Sequence, residues 1–473
     1  MEKEKSKRSN FLLTRNKNAR TIRSKTVETS AQKDDVLKGI VFYFRKKVSA
    51  QGDFSLYYKI AYYISEKYDI PVFCVNNSYP ELQKQYFNSR ITFCDITKDN
   101  VKQFEGMTFV VAFNQLFCLL EEIFLLKKAR ILPLFLHPYI IEWWESQFEK
   151  KLYNFDRIVK MLKKNNSFAF QDEANYFAFE RHTSIKLYPR YFPVVINTPD
   201  DNMNYCPDLI NKTEINCAWL GRLDPDKIYS IINFLDVLYS LNIEKNINVH
   251  IIGDGAAKNR IDINKYTPKL RLIFTSYLYG EKRNEYLMNN VDFVVAMGVS
   301  AIDIASIKLP TILPIVSTSS FYKDVFVYFN NSINYCLGWK SEDIEKSTFR
   351  YNSLIEIIND IYEKEKKQEI GNLCFFQAKN VFSIEKNISQ IMECILSARL
   401  TVRKFKRNPS IVNQIFLFKL FKLFKKNEGY LEYVSFHNRF TRFSNLSTKM
   451  KIKKLYNKII SILKNKFLWG KTG

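Results

Sequence analysis

The chain is poor in the residues that build metal and redox sites. Its four histidines, at 137, 182, 250 and 437, stand apart, and none is at metal-ligand spacing from another. Its eight cysteines (74, 94, 118, 206, 217, 336, 374 and 394) include no CxxC pair. Most sit in apolar runs and read as reduced, buried core thiols of a cytosolic protein. No uncharged apolar run reaches the roughly 18 residues of a transmembrane helix. The nearest, FCLLEEIFLL at 117–126, is interrupted by Glu121 and Glu122. The N-terminus is positively charged but no apolar core follows it, so no secretory signal is expected. Glycine is also sparse, with 13 residues in 473.

Positive charge is abundant and unevenly placed. Residues 1–35 hold ten Lys/Arg against five Asp/Glu, and residues 402–473 hold eighteen against two. The ends therefore carry +5 and +16, which leaves +3 of the net +24 for residues 36–401. A nucleic-acid groove would put the charge on the body, and no zinc, helix-turn-helix or RNP signature appears, so no nucleic acid is expected as partner. Basic ends on a nearly neutral body suggest arms that meet a polyanion or an anionic membrane.

Residues 1–35 are polar and without period, as in a disordered tail. Short apolar runs then alternate with helical spacing. GIVFYF (39–44), PVFCVNN (71–77), RITFCDI (90–96), TFVVAFN (108–114) and ARILPLFLHP (129–138) read as buried parallel strands. SFAFQDE (167–173) and KLYPRYFPVVI (186–196) are further strand-like pieces. Gly52 lies in what reads as a loop before a helix at 54–68. NTPDDNMNYCP, over 198–208, reads as an interdomain linker. The alternation restarts with strands in EINCAWLGRL (214–223), INVHIIGDG (247–255), KLRLIFTSYLYG (269–280), VDFVVAMG (291–298) and LPTILPI (309–315). Helices are expected between them at 229–242, 281–290 and 299–308. The expected architecture is α/β, with two Rossmann-like domains at 36–200 and 209–400 facing a cleft, and a basic helical arm over 401–473.

Ligands in such sheets sit at the carboxyl ends of the strands. Gly221 ends one there, and Arg222 and Lys227 follow on the loop into the next helix. A glycine, two cations and a helix N-terminus suit a diphosphate. A solvated strand-to-helix loop with incidental charge is the alternative on spacing alone.

The order of segments resembles the C-terminal half of GT-B glycosyltransferases of the family-4, retaining type. The carrying motifs are LGRLDPDK (220–227), IIGDG (251–255), SYLYGEK (276–282) and FVVAMGVSAIDIASIKLPTI (293–312). The last is most similar to a variant found in capsule and other surface-polysaccharide transferases. The likeness covers 214–315 well and 36–213 as a general Rossmann pattern. It implies that Arg222 and Lys227 hold the donor diphosphate and that Asp303, at the second of the family's paired glutamates, holds the ribose hydroxyls. It also implies that His137 touches the donor sugar, and that Gly221, Gly253, Gly255 and Gly298 lie at the donor site. Gly253 and Gly255 suit plain turn geometry more than ligand contact, and Asp254 suits a turn as well. Ser300 is expected to cap the 299–308 helix beside the donor. Gly52 is expected to act as hinge of a loop facing acceptor or donor phosphate. Glu142 is a further candidate for acceptor contact or base work. Two positions depart from the family: its first glutamate is Val295 here, and its glycine before proline is Leu309.

The implied activity is transfer of a hexose from a nucleotide-sugar donor to a glycan or lipid-linked acceptor in surface polysaccharide biosynthesis. It would proceed with retention and with neither metal nor cofactor. Val295 leaves an alternative, a degenerate GT-B scaffold that binds nucleotide, sugar or partners at the membrane. In the arm, 408–426 sets Lys419, Lys422 and Lys426 on one helical stripe, and 449–469 lines Ile452, Leu455, Ile459, Ile462 and Leu463 on one face. Basic amphipathic helices of this kind lie in anionic membrane surfaces, or else pack on protein. The expected location is peripheral, at the cytoplasmic face of a membrane.

Overall fold

Two apolar strand sets separated by a polar linker fold as two sheets. The computed structural model describes residues 37–44, 51–75, 89–142, 155–201, 208–346 and 348–407, with the backbone alone for 51–55. The expected basic tail (1–35) and the amphipathic stretches of the arm (408–426 and 449–469) lie outside the described residues.

The first sheet holds β1 (Ile40–Tyr43), β2 (Val72–Val75), β3 (Ile91–Cys94), β4 (Thr108–Ala112), β5 (Arg130–Phe135) and β6 (Ala169–Phe170). Their order is β3-β2-β1-β4-β5-β6, with every pair parallel. The second holds β7 (Glu214–Leu220), β8 (Asn246–Ile252), β9 (Leu270–Thr275), β10 (Phe293–Ala296), β11 (Thr311–Leu313) and β12 (Val327–Tyr328). Its order is β12-β11-β10-β7-β8-β9, parallel except for β12 against β11. Counted from its own first strand, each sheet has the doubly wound order 3-2-1-4-5-6. β1 and β4 are buried along their whole length, as strands covered by helices on both faces must be.

Among the described residues the α-helices are α1 (Gln51–Lys67), α2 (Leu116–Glu122), α3 (Phe155–Lys164), α4 (Glu173–Glu180), α5 (Ile228–Ser240), α6 (Ile263–Tyr266), α7 (Gly280–Asn290), α8 (Val299–Ala305), α9 (Leu354–Ile358), α10 (Lys367–Val381), α11 (Ile384–Ser397) and α12 (Val402–Lys406). α1 buries Tyr57, Ile60, Ala61 and Ile64, one stripe at helical spacing.

Four expectations are corrected. Residues 186–196 form no ladder, only single bridges from Tyr191 to Phe170 and from Ile196 to Ser383. Pro189 and Pro193 each lack an N–H donor, which removes a ladder hydrogen bond at both positions. Gly52 is not in a loop: α1 begins at Gln51, so Gly52 lies in its first turn and cannot serve as a loop hinge. Ser300 does not cap α8; Gly298 occupies the N-cap and Ser300 is the second helical residue.

The largest correction concerns the second domain, expected to run to 400 with an arm beyond. The chain instead returns to the first domain at Phe382–Ile384. There Ile196 N–H donates to Phe382 O (2.9 Å) and Ile384 N–H to Ile196 O (2.8 Å). α11 then packs on α1 and β4. Its apolar stripe, Ile384, Ile388, Ile391 and Ile395, is buried, and Gln390 Nε2 donates to Tyr191 O at 2.8 Å. Thr401 bridges Arg130. Leu400, Val402 and Phe405 join the first domain's core with Ile123, Leu126 and Ile131. Residues 401–407 are therefore part of that domain, because Val402 and Phe405 bury there beside Leu400.

Candidate active site

β7 and β10 are adjacent and in register, Leu220 opposite Ala296. Their carboxyl ends open at the point where strand order reverses, the usual ligand crevice of such a sheet. The loop leaving β7 is pinned from below. Gly221 N–H donates to Ile252 O (3.1 Å), Leu223 N–H to Asp254 O (2.9 Å), and Ala257 N–H to Leu223 O (2.9 Å).

Gly253 and Gly255 make this bracing possible. Gly253 has φ +143°, and a Cβ there would stand 2.1 Å from the Gly221 carbonyl oxygen. A Cβ on Gly255 would meet the Leu223 carbonyl carbon at 2.5 Å. Both glycines therefore support the loop that carries Arg222. Asp254 turns the chain, its carboxylate accepting from Gly255 N–H (2.9 Å), while the Tyr277 hydroxyl donates to Asp254 O (2.5 Å).

The cations sit above this base. Arg222 Nη1 donates to Asp224 Oδ2 (2.6 Å), and its Nη2 is 3.6 Å from Asp226 Oδ2. Lys227 is the N-cap residue of the 13-residue α5, without a side-chain cap bond. Burial lowers its pKa, and the charge of Arg222 lowers it further, against Asp226 and Asp224.

His137 reaches the same loop from the other domain. It lies two residues past β5, and its Nε2 is 3.9 Å from Asp226 Oδ2. Its Nδ1 accepts from Tyr139 N–H at 3.2 Å, so in the neutral ring the proton sits on Nε2 and points toward the loop. Burial pushes its pKa down to about 4; Asp226 opposes this, while Lys227, Lys340 and Arg222 add to it. The ring is thus a neutral donor at neutral pH. The structure brings His137, Arg222 and Lys227 together.

At the end of β10, Gly298 has φ +62° and no atom within 4 Å of a Cβ placed on it. Asp303 of α8 is not a free carboxylate, since Arg283 of α7 donates to it at 3.0 Å. Its charge also acts on Lys59 of α1, whose pKa burial lowers. Val295 is fully buried within β10, paired in register with Trp219 and Ile312, so it faces core and not ligand.

Glu142 is withdrawn as a base. It meets Lys340 Nζ at 2.9 Å, His182 Nε2 at 3.3 Å and Arg181 Nη2 at 3.6 Å. Burial pushes its pKa up, but the hydrogen bonds of His182 and Lys340 prevail and hold it at about 2. Lys340 is 2% exposed and lies 3.7 Å from the centre of the Tyr139 ring. Arg181 also pairs with the buried Asp343 at 2.8 Å. Glu142, Arg181 and His182 of the first domain and Lys340 and Asp343 of the second thus tie the domains together beside His137. Among the described residues no three His, Cys, Asp or Glu side chains converge to hold a metal ion.

Sequence reading missed Asp224, Asp226, Arg283 and Lys340. The two aspartates were in plain view in RLDPDK, between the two cations. Arg283 and Lys340 carry no local signal, since their partners are remote in sequence.

No family model and no curated protein matches the chain. Solved structures do resemble it. HepE of Anabaena in complex with UDP and glucose has TM-score 0.48 at 12% identity, over 75% of this chain and 98% of its own. TarM has TM-score 0.49 at 11% identity, over 77% and 100%. The lipopolysaccharide outer core galactosyltransferase WaaB has 0.46 at 10%, over 76% and 99%. The two-domain α/β fold itself stands on the strand orders above.

Proposed function

We propose that the chain is a glycosyltransferase that moves a hexose from a nucleotide-sugar donor to a glycan or lipid-linked acceptor of a surface polysaccharide. The observation that carries the reading is the approach of His137, from the first domain, to the Arg222–Lys227 loop of the second. Sugar transfer passes through an oxocarbenium-like state while negative charge builds on the departing diphosphate. Arg222, Lys227 and the N-terminus of α5 stabilise that charge where it develops. Neutral His137 offers Nε2–H to a sugar hydroxyl. Lys227, with its pKa lowered, regains a counter-charge when the diphosphate binds. Gly298 leaves open space and Asp303 lies beyond it on α8, a placement that suits the sugar and ribose. Retention of configuration and independence of metal belong to this reading, as does attachment of residues 402–473 to an anionic membrane surface.

The test is nucleotide release by the full-length chain from a panel of UDP-, GDP-, CMP- and ADP-sugars with EDTA present, and NMR of the product anomer. Arg222→Ala or Lys227→Ala should each cost on the order of 10²–10³ in turnover. Undiminished turnover in both would sink the diphosphate assignment. A second reading, a binding scaffold without turnover, is favoured by the burial of Val295, which leaves the β10–α8 loop, Met297 and Gly298, without a carboxylate. It predicts donor binding by calorimetry with no release from any donor.

A further inference from the structure

We propose that the face at the amino ends of β4 and β5, centred on a cavity between Lys127, Arg403, Lys406 and Arg407, binds the phosphate groups of an anionic lipid surface. The inference rests on the membrane attachment proposed above and names a place for it within the folded domain, apart from the arm.

The cavity is open and about 320 Å³ in volume, and among the described residues those four cations line it. Two segments remote in sequence build it. Arg403 N–H donates to Lys127 O (3.3 Å) and Val402 N–H to Ala129 O (2.9 Å), while the burial of Val402 and Phe405 fastens α12 beneath. Lys406 Nζ lies 4.1 Å from the centre of the Phe124 ring and donates to Leu126 O at 3.4 Å.

None of the four has a carboxylate within ion-pair distance among the described residues. Glu105, whose charge acts on Lys406, accepts from the backbone N–H groups of Lys127 and Lys128. Burial lowers the pKa of Lys406; Glu105 opposes the shift and Lys127 adds to it. Four cations held around one cavity without their own counter-ions repel one another, and an external anion relieves that repulsion. Phosphate is an anion that arginine forks and lysine ammoniums can hold together.

A lipid surface is favoured over free phosphate or nucleic acid by what surrounds the cavity. Leu125, two residues before Lys127 and next to the Phe124 whose ring Lys406 covers, is an apolar side chain 69% exposed. The chain that leaves the cavity, residues 408–473, holds fourteen Lys/Arg against two Asp/Glu. Cations around an exposed apolar side chain match a layer of anionic headgroups over acyl chains. The cavity lies at the amino end of β5 and His137 just past its carboxyl end. The six-residue strand therefore stands the site off from that face by roughly 20 Å.

The test is co-sedimentation of the full-length chain with vesicles of phosphatidylcholine, alone or with about one part in three phosphatidylglycerol. Partition should require the anionic lipid. Lys127→Glu with Arg403→Glu should weaken it at least about tenfold, with the melting temperature and nucleotide release unchanged. The milder Lys127→Gln with Arg403→Gln should give a smaller loss, and Leu125→Gln a loss that persists in high salt. Equal partition of all variants and the wild type would overturn this inference while leaving the arm as the membrane anchor. A wild type that ignores anionic vesicles would overturn the membrane reading itself. Protection by inorganic phosphate without vesicle binding, or binding of an RNA oligonucleotide lost in the same variants while partition is kept, would each reassign the face.

Discussion

Two groups of cations can be compared: Arg222 and Lys227 at the carboxyl ends of the second sheet, and Lys127, Arg403, Lys406 and Arg407 at the amino ends of the first. The first group comes with its own carboxylates. Asp224 and Asp226 hold Arg222, and Asp226 faces His137, so the formal charge of the loop cancels. Among the described residues the second group has no carboxylate within ion-pair distance, only the field of Glu105 on Lys406. Positive residues tell little by their number; their counter-ions tell more. A matched set fixes side-chain direction and exchanges partners when a polyanion arrives. An unmatched set makes a field that draws a surface.

The widest separation of the two groups would come from Arg222→Ala. It should lower nucleotide release on the order of 10²–10³ and leave vesicle partition untouched. The charge-reversed pair Lys127→Glu and Arg403→Glu should do the opposite. Gly253→Ala probes the footing of the matched set. A methyl 2.1 Å from the Gly221 carbonyl oxygen, at a φ that L-residues avoid, should cost on the order of 2–3 kcal/mol. Thermal melting would read that loss, with activity falling as the loop shifts. Asp226→Asn should act more gently: with one competing carboxylate removed, a nucleoside diphosphate should bind a few-fold more tightly by calorimetry, about 1 kcal/mol or less. Weaker binding would show that Asp226 positions Arg222 more than it competes.

The smallest effect concerns pH. Because the folded pKa of His137 is depressed to about 4, the unfolded chain binds the extra proton first. Its contribution to stability is fully present above about pH 6.5 and is lost as pH falls toward 4. Glu142 has the same sign in a lower window, its contribution present above about pH 4.5 and lost toward 2. Donor release should therefore show no inflection from His137 between pH 7 and 5, and Glu142→Gln should remove only the low-pH part of the melting curve.

The strands were legible because buried parallel strands write themselves as short apolar runs. β12 was not, since two antiparallel residues leave no such run. The 186–196 stretch looked like strand by its hydrophobicity, yet it makes only single bridges, and each of its two prolines lacks a ladder donor. Gly221, Arg222, Lys227 and His137 could be found because strand ends are readable and ligands gather there. Which carboxylates face which cations could not, because loop side-chain directions have no period. The return of the chain at Ser383 was hidden for a related reason: the stripe of α11 shows that it must pack, and nothing in it says on which domain.

That return also limits how the two halves can move. The chain passes from the first domain toward the second after Ile196 and comes back at Ser383, and the two passages are hydrogen-bonded side by side. Joints spaced far apart would lock the bodies, and a single thread would let them tumble. Two threads laced at one spot behave like the pin of a door, with one easy axis and a torsional stop. The Glu142–Lys340 and Arg181–Asp343 pairs beside His137 are then the latch on the far side: where they part, the pin leaves His137 and the Arg222 loop an arc along which to separate.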